Sequence, residues 1–163
     1  MTDWLALAKS NTSYLFDLIE KLVSIESPTR DKAANDEISS FTANLMRSIE
    51  GEVTVHPETE YGDHITINWP VPDGSNHKQH AFIVGHLDTV WPHGTLERMR
   101  FSERKGRLYG PGVLDMKAGI ATTIVGLQVL KHNNLWPNRP VKVLFNTDEE
   151  VGSPSSRPLV EHY

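Results

Sequence analysis

Leu5, Leu7, Leu15, Leu18, Ile19, Leu22 and Val23 recur mostly at steps of three and four. That period lays one apolar stripe of a helix against a core, and it predicts one or two helices over 4–23. Pro28 breaks the stretch 24–29, a second helix is expected to begin within 31–35 and run to about residue 49, and Gly51 stops it. The period then changes to two. Val53-Thr54-Val55-His56 and His64-Ile65-Thr66-Ile67-Asn68 read as half-exposed strands joined by a turn near Tyr61-Gly62-Asp63. A polar loop over 70–80 leads to Ala81-Phe82-Ile83-Val84, an apolar run of the kind found in strands covered on both faces, and Val141-Lys142-Val143-Leu144-Phe145 is a second such strand. A third helix is expected between them, over about 116–132.

Apolar strands alternating with helices predict an α/β protein, a three-layer α/β/α sandwich around a mainly parallel sheet. At 163 residues the chain suits one ordinary core. In such sheets ligands bind beyond the carboxyl ends of the strands. Both apolar runs end in polar clusters, His86-Leu87-Asp88 and Asp148-Glu149-Glu150, which are therefore expected at one end of the sheet.

Composition narrows the chemistry. The net charge of −5 is spread along the chain, which argues against nucleic acid as a partner. With no cysteine, the strong metal ligands available are His, Asp and Glu. The start Met1-Thr2-Asp3-Trp4 lacks the basic opening of a secretory signal, and no apolar run is expected to reach the ~20 residues that span a bilayer. A cytoplasmic protein without a membrane partner is expected, although a chain without cysteine would suit export equally.

Three clusters carry candidate chemistry. In Gly85-His86-Leu87-Asp88-Thr89-Val90 an imidazole leaves a strand with a carboxylate two residues on, a pairing that supplies a metal ligand and its orienting group. Alone, it is also an ordinary strand end with a turn-capping Asp. In Tyr109-Gly110-Pro111-Gly112-Val113-Leu114-Asp115-Met116-Lys117-Ala118-Gly119 the glycines permit close backbone approach, and Asp115 is either a carboxylate aimed out of the loop or simply a helix N-cap. In Asn146-Thr147-Asp148-Glu149-Glu150-Val151-Gly152-Ser153 three consecutive acids repel one another unless solvated or offset by a cation. Adjacent acids of this kind divide labour, one holding zinc while its neighbour takes a proton from water.

Taken in order, the clusters resemble the signatures of the co-catalytic di-zinc metallopeptidase and deacylase family, which includes glutamate carboxypeptidase, acetylornithine deacetylase and succinyl-diaminopimelate desuccinylase. The stretch 84–156 is similar to the bacterial glutamate carboxypeptidase branch in particular. The resemblance implies that His86 ligates one zinc, Asp115 bridges two, Glu150 ligates the other, Asp88 orients His86 and Glu149 is the general base. It implies release of a C-terminal glutamate from a small peptide or N-acyl amino acid, with N-acyl-amino-acid deacylation as the alternative.

Family members are more than twice this long. The resemblance makes residues 1–163 the N-terminal part of a single catalytic domain, truncated before two further metal ligands and before a lid domain through which a full-length form would dimerise. With two protein ligands per zinc instead of the usual three, the short chain is expected to bind metal weakly and turn over little, which leaves a non-catalytic module as a further reading. Trp91 and His93 border the expected cleft and are candidates for substrate contact. His56, His64, His77, His80, His132 and His162 are expected at the surface.

Overall fold

In a computed structural model the described residues are 2–71 and 79–162. Part of the polar loop expected over 70–80, with His77, lies outside them. The amino-terminal pattern resolves into two helices, α1 (Trp4–Ser10) and α2 (Thr12–Ser24), separated at Asn11. Helix α3 (Lys32–Ser48) starts on Asp31, whose carboxylate accepts the Ala34 N–H, as an N-cap should.

The alternating segments are β1 (Glu52–His56) and β2 (His64–Trp69), and the apolar runs are β3 (Ala81–His86) and β6 (Val141–Asn146). The short helix α4 (Thr95–Arg98) and the hairpin β4 (Ser102–Arg104) with β5 (Arg107–Tyr109) lie between β3 and the third expected helix. That helix, α5 (Ala118–His132), follows a π-helical turn over Val113–Lys117. A 3-10 turn (Glu149–Val151) and helix α6 (Arg157–His162) follow β6.

The main sheet has the order β1-β2-β6-β3. Only β3 and β6 run parallel. The β1–β2 and β2–β6 pairs are antiparallel, so the described strands correct the expectation of a mainly parallel sheet. The alternation in β1 and β2 already marked them as antiparallel-type strands, because parallel strands are usually covered on both faces. Strand β3 is also not covered on both faces: it forms the sheet edge, and its Val84 is 44% exposed.

Register explains where the core sits. Ile65 faces Phe145, Ile67 faces Val143 and Trp69 faces Val141, so these six side chains share one side of the sheet. Leu18 and Leu22 of α2, Ile38 and Met46 of α3, and Ile120 and Ile124 of α5 pack into the same cluster. All are buried, and each such side chain contributes roughly 1.5–3 kcal/mol. These three helices therefore cover one side, and the layer expected on the other is not formed by them. Trp69 ties the core to the turn before β1 by donating its indole N–H to the Ile49 carbonyl at 3.0 Å.

The segment 113–132 is long and apolar enough to cross a bilayer by length and composition, contrary to the sequence expectation. Its residues Ile120, Ala121, Ile124, Val125 and Leu127 are instead buried in the protein core.

Candidate metal centre

Because β3 and β6 are parallel and His86 pairs in register with Asn146, the residues leaving both strands emerge at one edge. The Leu87 N–H donates to the Asn146 carbonyl at 2.8 Å and extends that alignment by one residue. The clusters anticipated at one sheet end are thereby brought together.

The 113–117 turn supplies the third part. Asp115 has extended backbone (φ −126°, ψ 100°) and caps no helix, so the N-cap alternative fails. The Asp115-Met116 peptide is cis. Met116 turns inward, where its sulfur accepts the His86 N–H at 3.3 Å, and the Asp115 carboxylate stays 72% exposed. Gly85 makes room for this contact, since a Cβ there would stand 3.2 Å from the Met116 methyl and 3.3 Å from the Phe145 ring.

His86 Nε2 lies 2.9 Å from Asp115 Oδ1 and 3.9 Å from Glu149 Oε2. One ligand atom from each of His86, Asp115 and Glu150 lies within 4.8 Å of the others, a group that could hold a metal ion. Burial works against the charged imidazole, but hydrogen bonds to Asp88 and Asp115 and the charge of Asp88 outweigh it, raising the His86 pKa to about 9. Burial and the negative charges of Asp115, Asp88 and Glu149 raise the Glu150 carboxyl, against the pull of His86.

Asp88 is fully buried and contacts His86, Thr29, Glu149 and Glu150. The His86 Nδ1 lies 3.0 Å from the Asp88 carbonyl oxygen and 3.4 Å from its carboxylate. That carboxylate also accepts the Thr29 hydroxyl at 2.8 Å and the N–H groups of Glu149 and Glu150 at 3.3 and 3.2 Å. It therefore fixes both the imidazole and the turn that presents the two glutamates.

Asp148 does not join its neighbours. It is fully buried and accepts the N–H and hydroxyl groups of Ser155 and Ser156 at 2.6–3.0 Å. Burial disfavours its charge, yet those donors hold its pKa below the ordinary value. The three consecutive acids are thus sorted by environment, one inside and two facing His86.

His64 corrects the expectation of a surface histidine. It is fully buried, its Nδ1 receives the Thr147 N–H at 3.2 Å and its Nε2 lies 2.9 Å from Ser155 Oγ. Burial lowers its pKa and keeps it neutral, and the network holds the end of β6. The sequence offered a weak signal for it: His64 opens a strand whose partner, β6, could not be identified from pattern alone. His93 bridges Asp31 at 2.8 Å and Glu26 at 3.5 Å, and so braces the loop after β3 against the start of α3.

The model of peptidase family M20/M25/M40 matches residues 82–163, about half of the sequence, including every residue of this cluster. The chain belongs to this family.

This M20-family chain is 32% identical over 145 residues to carboxypeptidase G2 of Pseudomonas sp. (strain RS-16), a match covering 88% of this chain and 34% of the relative. It is 28% identical to succinyl-diaminopimelate desuccinylase of Leptothrix cholodnii, covering 82% and 35%. The chain therefore spans about a third of the length of these relatives.

Among solved structures it resembles human carnosine dipeptidase 1, with a TM-score of 0.79, 19% identity and coverage of 94% of this chain and 36% of that one. A similar fold occurs in an M20 family metallo-carboxypeptidase from Sulfolobus solfataricus, with a TM-score of 0.72, 19% identity and coverage of 91% and 33%. These likenesses establish the α/β fold.

Proposed function

We propose that this chain is the N-terminal part of a zinc-dependent amide-bond hydrolase that releases a C-terminal glutamate. The observation that carries the reading is the convergence of His86, Asp115 and Glu150 ligand atoms within 4.8 Å. One imidazole and two carboxylates, with no thiolate in the chain, form a donor set that fits zinc in a hydrolytic site.

In this reading His86, Glu150 and Asp115, the most exposed of the three, would hold the zinc, with His86 and Glu150 serving different ions and Asp115 shared. Bound zinc supplies an electrophile for the amide carbonyl and makes water more acidic. Asp88 accepts from the imidazole Nδ1–H, which leaves Nε2 free as a donor atom. The Glu149 carboxylate, half-exposed and 3.9 Å from His86 Nε2, takes the proton of the attacking water and returns it to the leaving amine.

The carboxypeptidase reading is supported by the 32% identity to carboxypeptidase G2 and the glutamate preference by the resemblance of 84–156 to the glutamate carboxypeptidase branch, while the 28% identity to a desuccinylase supports N-acyl-amino-acid deacylation as the second reading. His86, Asp115 and Glu150 alone would give each of two zinc ions fewer than the three protein ligands usual at a catalytic zinc, so this chain alone would bind zinc weakly and turn over little. A longer form supplies the remaining ligands and, through a lid, a dimer contact.

The test is zinc stoichiometry together with hydrolysis of N-acyl glutamates and of N-succinyl-diaminopimelate, by this chain and by a longer one. The longer chain is expected to bind two zincs and cleave the glutamate series faster. A longer chain that carries two zincs and cleaves neither series would sink the assignment.

A further inference from the structure

The segment 97–107 stands apart from the rest of this acidic chain. It holds Arg98, Arg100, Arg104, Lys105 and Arg107 against Glu97 and Glu103, five positive charges less two negative, or +3 within a chain of net −5. Among the described residues the ion pairs of lysine and arginine lie elsewhere, on Arg30, Lys32, Lys131 and Arg157.

The hairpin makes this unusual. Arg104 and Arg107 are direct cross-strand partners, an arrangement in which like charges destabilise the pair. Both line a cleft of about 880 Å3 whose remaining wall is largely apolar, with Leu108, Tyr109, Val113 and Leu114. Arg104 stacks its guanidinium 4.7 Å from the centre of the Tyr109 ring. Leu114 is 94% exposed and Tyr109 40% exposed, so the cleft presents an apolar wall beside two guanidinium groups that form no ion pair among the described residues. None of His86, Asp115 and Glu150 lines it, although Leu114 is continuous with Asp115.

We propose that this cleft binds a small amphipathic oxyanion, a carboxylate or phosphate carried on an apolar body of about aryl size. The volume falls within the range of small-molecule sites. A planar oxyanion meets guanidinium in a bidentate geometry, and an anion between Arg104 and Arg107 converts their repulsion into two attractions. The apolar body covers Leu114 and Val113. The inference is independent of the hydrolase reading, because it uses none of the proposed zinc ligands.

The experiment is calorimetric titration of EDTA-treated chain with 4-phenylbutyrate, 3-phenylpropyl phosphate and the neutral 4-phenylbutyramide, so that carboxylate and phosphate are compared on similar bodies without metal. At least one acid is expected to bind about tenfold or more tighter than the amide, consistent with a charge-assisted contact. Arg104→Gln with Arg107→Gln is expected to abolish that preference while circular dichroism stays unchanged, and Leu114→Ser to weaken acid and amide together. Equal binding of acid and amide, acid binding that survives the double substitution, or no binding of any probe in the millimolar range overturns the proposal. Binding only to anionic vesicles or to DNA overturns it as well.

Discussion

His86 Nε2 and Asp115 Oδ1 lie 2.9 Å apart, bringing together residues that are 29 positions distant in sequence. Their contact makes stability depend on pH in a calculable direction. His86 is raised from 6.5 to about 9, so the stabilisation of its charged form is fully present below about pH 6.5 and is lost as pH rises through about 9. Lys117 is displaced the other way: burial lowers it from 10.5 to about 8 against the charge of Glu26, so its contribution to stability rises with pH between about 8 and 10.5. In EDTA, the melting temperature is expected to fall from pH 6.5 to 8 and to level or turn upward beyond 9. His86→Gln should remove most of the fall and Lys117→Met the upturn. A melting temperature that is flat between pH 6.5 and 8 would contradict the His86 assignment.

Asp88 gives a prediction about metal. Its carboxylate serves Thr29 and the turn N–H groups of Glu149 and Glu150, and lies 3.4 Å from the imidazole Nδ1. Asp88→Ala should weaken zinc binding about 10–100-fold, the usual cost of losing a group that orients a ligand. Glu149→Gln keeps every proposed ligand and should leave zinc affinity within about threefold while removing the proton acceptor needed for hydrolysis. Competition with a chromophoric chelator measures both affinities, and equal losses for the two variants would contradict the division of roles.

Legibility from sequence followed the range of the interactions. Helices α2 and α3 and strands β1 and β2 were visible because their signals, apolar period and capping, are local. His86, Asp115 and Glu150 stood out as candidates because each sits at an element boundary marked by polar or glycine residues, while their roles as zinc ligands came only from the family resemblance. What stayed hidden depended on pairings distant in sequence. That β2 lies between β1 and β6 decides the mostly antiparallel ladders and buries His64, yet no residue in 64–69 encodes which strand is its second neighbour. The hairpin β4–β5 was missed for a different reason: three-residue strands rich in charge carry too little alternation to register. Asp148 was left without a role beside Glu149 and Glu150, because only the fold reveals that Ser155 and Ser156 turn back onto it.

That turn is itself testable. Asp148→Ala leaves the N–H and hydroxyl groups of buried Ser156 and half-buried Ser155 without this acceptor, at a cost on the order of 3 kcal/mol. Asp148→Asn retains one oxygen and should cost less, as should Ser156→Ala, which removes one donor to Asp148 and the acceptor of the Asn146 amide. Urea unfolding of the three variants checks the order. An Asp148→Ala variant within about 0.5 kcal/mol of the parent, the range of ordinary surface changes, would contradict the network.

Two glycines predict opposite signs for the same substitution. A Cβ at Gly62 would lie 2.2 Å from the Cβ of Asn35, and neither is the far end of a flexible side chain. The clash pushes the 61–63 turn away from α3, where Ser39 donates to the Asp63 carbonyl at 2.8 Å and the Asp63 N–H donates to Asp36 at 2.8 Å. Gly62→Ala should therefore cost about 1–3 kcal/mol, as overpacking does. Gly126 lies inside α5 on its exposed side, with nothing within 4 Å of the added carbon. Gly126→Ala gains helix propensity without a clash and should stabilise by up to about 1 kcal/mol. Paired urea titrations decide it: a Gly62→Ala variant as stable as the parent contradicts the close approach of the 61–63 turn to α3, and a destabilised Gly126→Ala variant contradicts the open exposed side of α5.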